Sequence, residues 1–131
     1  MSRRICIHPC LGVNEPLAAV GRQASYLAHR KLGKARADLG CSPALFADVE
    51  EDLLFVRNGL VIVVEACPHR CATHLITQKG GTIHATVDVG EVLARVGVPT
   101  DGLPNHHLPL DHPAVVAVAD EIVRIANGPN G

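Results

Sequence analysis

The chain has 131 residues, 47% hydrophobic and 19% charged, a balance that belongs to a globular domain and excludes a disordered tail or linker. Its aromatic side chains are Tyr26, Phe46 and Phe55, so the core must be built from Val, Leu, Ile and Ala. Twelve basic against thirteen acidic side chains leave a formal charge of -1; with no positive field to collect phosphates and few rings to stack bases, a nucleic-acid partner is excluded.

Arg4 to His8 is a short β-branched run that reads as a strand, and Pro9-Cys10-Leu11-Gly12 as the turn after it. Asn14 is a good N-cap and Pro16 suits a first helical turn. Leu17, Val20, Ala24, Leu27 and Ala28 then recur at helical spacing to about Lys31, and Gly33 stops the helix. A weak strand is expected over 35–39, closing at Gly40-Cys41. Ser42-Pro43 opens a second helix, whose apolar face of Leu45, Phe46, Val49, Leu53 and Val56 runs to Asn58-Gly59. The segment 53–64 also fits a hairpin around Asn58-Gly59, but the helical spacing covers its first half completely.

Leu60 to Glu65 is a nearly continuous aliphatic run, the pattern of a strand buried on both faces of a parallel sheet. Cys67-Pro68 is expected to open a helix that runs to about Lys79 and stops at Gly80-Gly81. Thr82 to Val89 alternates as a strand, and Glu91 to Val96 forms a short helical turn. Pro, Gly, Asn and His crowd 98–111, an irregular loop, and Asp111 is expected to cap a last helix from Pro113 to about Ala126. Strands alternating with helices predict one α/β domain over 1–131. Its expected architecture is three-layer α/β/α and Rossmann-like, with about four mostly parallel strands.

Five cysteines and eight histidines carry the chemistry. Arg3-Arg4 runs directly into the first strand, so no signal peptide is expected, and apolar runs such as Leu60 to Val64 and Pro113 to Ala119 are too short to span a bilayer. The expectation is a soluble cytoplasmic protein with reduced thiols and no membrane partner, whose cysteines are ligands, nucleophiles or core filler. Cys6 lies inside the first strand and reads as core. Cys10, Cys41 and Cys67 each follow a strand, and Cys71 lies four residues past Cys67. If the last two share a helix face, four thiols gather at the carboxyl edge of the sheet, where ligands of such folds collect. Four thiolates suit tetrahedral zinc in a closed, structural type of site. As alternatives, four thiolates also suit an iron–sulfur cluster, and a helix-terminal Cys67 or Cys71 suits a thiol-based redox protein or enzyme.

Val64-Glu65-Ala66-Cys67-Pro68-His69-Arg70-Cys71-Ala72 resembles the signature of the DGC-domain family, whose members are described as zinc-binding and carry Asp-Gly-Cys-Pro-x-x-Cys-Ala after a buried strand. The family also has one cysteine after its first strand and another about thirty residues later, places matched here by Cys10 and Cys41. The resemblance covers roughly the first ninety residues and implies Cys10, Cys41, Cys67 and Cys71 as metal ligands, with zinc as the cofactor. Glu65-Ala66 replaces the family's Asp-Gly.

Among the histidines, His74 falls three residues after Cys71, as an added ligand or a donor to one. The string Cys67-x3-Cys71-x2-His74 is similar to a radical-SAM cluster motif, but the chain is too short for that class's barrel and lacks the third thiolate. His106, His107 and His112, with Asp111, form a second cluster that reads chiefly as solvated loop. It would complete a pocket above the cysteines only if the loop folds over the sheet edge. No phosphate-binding glycine motif and no nucleophile-elbow serine is present.

Overall fold

The computed structural model describes residues 3–128. The four strands are β1 (Ile5–Pro9), β2 (Ala37–Leu39), β3 (Leu60–Glu65) and β4 (Ile83–Asp88), and the helices are α1 (Pro16–Leu32), α2 (Ser42–Phe46), α3 (Glu50–Asn58), α4 (Cys71–Gln78), α5 (Val89–Val96) and α6 (Pro113–Ala126). They build a single sheet in the order β2-β1-β3-β4 with every pairing parallel, which is the α/β fold expected.

Alternation along the strands decides which helix goes where. Ile5 and Ile7 of β1, with Ile62 and Val64 of β3, face α1, α5 and α6 in a core completed by Val20, Ala24, Val115, Val118 and Ile122. Cys6, Val61 and Val63 point the other way and pack with Leu45 of α2, Val56 of α3 and Ala72 and Ile76 of α4. The sheet is therefore covered on both faces, and β3 is buried along its whole length as its aliphatic run requires. Small residues on α1 and aliphatic ones on β3 fill the interior that the missing aromatics leave to them.

Several local expectations are corrected. The segment 42–58 is two helices, because Asp48 takes a left-handed backbone (φ 61) and turns the chain between them. The apolar spacing continues through this break, so periodicity alone does not reveal it. The favoured reading of residues 53–64 holds: they are helix then strand, not a hairpin. Cys67-Pro68 does not open α4: Arg70 is left-handed (φ 51) and the helix begins at Cys71. The cap of α6 is His112, whose Nδ1 accepts from the Ala114 N–H at 3.1 Å, and not Asp111. The N-cap position of α1 falls to Glu15 rather than Asn14. Gly33 ends α1 with φ 89, a conformation that an L side chain would strain. No helix among the described residues is long and apolar enough to cross a membrane.

Candidate metal centre

β1 lies between β2 and β3; the connection leaving β1, α1, runs to β2 over one face of the sheet, and the one leaving β3, α4, runs to β4 over the other. The carboxyl ends of β1 and β3 thus flank the switch point at which doubly wound sheets leave a crevice. Cys10 comes directly after β1, Cys41 two residues after β2, and Cys67 two residues after β3. Three thiols are carried by three neighbouring strand ends, with Cys10 in the middle. Cys71 follows as the first residue of α4.

Cys10 is buried; its N–H donates to the Val64 carbonyl at 2.8 Å and extends the β1–β3 ladder by one step. Burial pushes its thiol up, and the nearby Glu65 carboxylate and Cys67 add to that. The N–H groups of Gly12 and Ala66 point at the sulfur and oppose the rise. The Cys10 thiol therefore lies within electrostatic range of Cys67. Cys67 is half-buried, whereas Cys41 and Cys71 are exposed. The Cys41 backbone is fixed by its N–H, which donates to Asp52 Oδ1 at 3.2 Å. Cys6 is part of the core as expected, and burial pushes its thiol up to about 12.

The four expected ligands share an edge but not one point. Among the described residues no three His, Cys, Asp or Glu side chains are grouped as a metal-holding set. The geometry explains this. Neighbouring strands stand about 4.8 Å apart, so the ends of β2 and β3 are separated by roughly 10 Å. Zinc–sulfur bonds are about 2.3 Å. Cys10 and Cys67 follow adjacent strands, whereas Cys41 follows β2, one strand farther from β3. The left-handed Arg70 removes the shared helix face expected for Cys67 and Cys71, and Cys71 stands exposed as the first residue of α4. In donor chemistry four thiols suit zinc; in placement, Cys10 is buried, Cys67 half-buried, and Cys41 and Cys71 exposed.

Two buried polar residues complete this edge and were not singled out by spacing. Glu65, 1% exposed at the end of β3, accepts from the Thr73 N–H at 2.9 Å and the Thr73 hydroxyl at 2.5 Å through Oε2, while its Oε1 has no partner. His8, 1% exposed on β1, has Nε2 2.9 Å from Ser42 Oγ, and its Nδ1 has no partner. Burial lowers its pKa to about 4, so the ring is neutral at pH 7. A Cβ on Gly40 would stand 2.1 Å from His8 Nδ1, so only glycine fits beside this ring, immediately before Cys41. The signal in the sequence was a lone polar residue inside or closing a β-branched run.

No protein-family model, curated protein or solved structure matches the chain.

Among the described residues no histidine is grouped with the cysteines as a metal-holding set. His69 and His74 are exposed. His107 lies beside Gln23 of α1, with Nδ1 3.3 Å from Gln23 Nε2, and His112 caps α6.

Proposed function

We propose that this protein holds a zinc ion through Cys10, Cys41, Cys67 and Cys71, in a structural or carrier role within a reducing compartment such as the cytoplasm. The observation that carries the reading is the strand order: β2-β1-β3 brings Cys41, Cys10 and Cys67 to three adjacent ends on one edge of the sheet. Cys10 and Cys67 form the inner pair, and the exposed Cys41 and Cys71 close over it. A zinc ion held this way supplies a cross-link between separate elements. With four thiolates it keeps no open position for water, so hydrolysis is not part of the proposal. Glu65 fixes the start of α4, and with it the backbone of Cys71, while the His8–Ser42 contact fixes the start of α2 beside Cys41.

Cys41→Ser tests the reading, because Cys41 has farthest to move. Its zinc content, and the extra stability that zinc gives the parent protein, are both expected to fall. Unchanged zinc in the variant would remove Cys41 from the ligand set.

A second reading, thiol chemistry without a resident metal, draws on the exposure of Cys71 at the first position of α4. It requires rapid alkylation of Cys71 or Cys67 at neutral pH in protein that contains no metal. An iron–sulfur cluster uses the same thiols and would declare itself by colour and stoichiometric iron.

A further inference from the structure

Away from the cysteines, a hollow of about 720 Å³ opens between the C-terminal half of α1 and the loop before α6, lined by Gln23, Tyr26, His29, Arg30, Lys34 and His107 among others. We propose that it binds a small organic phosphate, a ligand with a phosphate group and an apolar or aromatic body.

Charge is the first argument. Arg30 and Lys34 present two full positive charges to the hollow, and no carboxylate lies among its lining residues. The chain as a whole carries -1, so this concentration of cations is a matter of placement. Lys31, between them in sequence, is held by Asp120 at 3.1 Å, while the side chains of Arg30 and Lys34 enter no ion pair among the described residues. The C-terminus of α1 opposes an anion with roughly half a negative charge, less than the two cations offer. An arginine fork matches phosphate oxygens bidentately, and a lysine adds a movable point charge.

Rigidity is the second. Gln23 is 5% exposed and donates to the Leu108 carbonyl at 2.5 Å, which pins the loop to α1 and holds His107 at the wall. His29 is fixed by donating from Nε2 to the Ala37 carbonyl at 3.0 Å. Two imidazoles are thus held in place while the two long cations are free to close on a ligand.

Size and surface are the third. Pockets of about 300–1,000 Å³ suit organic molecules, and an inorganic ion alone would leave most of this one empty. The half-exposed ring of Tyr26 and the side chain of Leu110 give the ligand body an apolar wall.

Titration of the isotope-labelled full chain with phenyl phosphate, inorganic phosphate and phenol, followed by amide chemical shifts, tests this. Phenyl phosphate is expected to give saturable shifts confined to residues 23–34 and 103–110, and inorganic phosphate weaker shifts at the same amides. The double variant Arg30→Glu, Lys34→Glu changes exposed side chains only; it should keep the parent's circular dichroism and lose about tenfold or more in affinity. The proposal is overturned by an absence of saturable shifts with either anion. It is equally overturned by undiminished binding in the folded double variant, or by phenol matching phenyl phosphate, which would make the hollow a plain apolar dock.

Discussion

Glu65 and Thr73 are joined across the arch that carries Cys67 and Cys71: one carboxylate oxygen, Oε2, takes both the backbone N–H and the hydroxyl of Thr73. Thr73 is the third residue of α4, and its N–H is one of the donors that a helix start leaves without an internal partner. No side chain at the N-cap position, Arg70, performs this task. A buried residue eight positions earlier does so instead, and thereby ties the end of β3 to the helix that begins at Cys71. Glu65→Ala is expected to cost about 1–3 kcal/mol, the range for leaving a buried donor unpaired, with a smaller loss for Glu65→Gln, which keeps an acceptor. Urea unfolding gives the magnitude, and hydrogen exchange at the Thr73 amide locates it. Exchange at Thr73 as slow in Glu65→Ala as in the parent would show that the carboxylate is not its partner.

His8 makes the metal-free protein sensitive to acid. Its folded pKa of about 4 lies below the ordinary histidine value of 6.5, so between those values the unfolded chain binds the extra proton. The contribution of the neutral ring is complete above pH 6.5 and disappears as the pH falls toward 4. It amounts to roughly 3 kcal/mol, as an order of magnitude. His8→Phe is expected to flatten the decline in stability between pH 6.5 and 4 measured by denaturant unfolding. A decline of the parent's full size in that variant would place its cause elsewhere.

Gly40 and His8 are coupled by contact. A methyl group on Gly40 would overlap His8 Nδ1, and overpacking of this kind costs about 1–3 kcal/mol. Gly40→Ala should be destabilised accordingly, and much of the loss should vanish when Gly40→Ala is made on a His8→Ala background. Additive losses in the double variant would mean that the two residues do not share the space.

The cap of α6 discriminates two neighbouring residues. His112→Ala should lose about 1 kcal/mol, since it removes the acceptor for the Ala114 N–H, whereas Asp111→Ala should be nearly neutral. Thermal unfolding of the two variants compares them directly; equal losses would contradict the assignment.

Much of the architecture was legible in the sequence, for a physical reason. The aliphatic run Leu60 to Glu65 admits few structures other than a central parallel strand, and the Pro16 and Gly33 signals mark real ends of α1. The position of each cysteine relative to a strand end was equally readable, because it needs only the order of elements. Left-handed residues were not. Asp48 and Arg70 break helical runs without proline or glycine to announce it, and Arg70 thereby undid the helix face expected for Cys67 and Cys71. Capping at a distance was hidden too. Glu65 serves a helix eight residues on, and His112 displaced the more familiar aspartate beside it. Local rules identify local partners, and these contacts are made by the fold.

The central claim is that four thiolates from the strand ends converge on one zinc ion. X-ray absorption at the zinc edge, with elemental analysis of the same sample purified without oxygen, tests it most directly. The expected result is one zinc per chain with four sulfur neighbours at about 2.3 Å. A shell rich in nitrogen or oxygen, stoichiometric iron in place of zinc, or protein that holds no metal would contradict it.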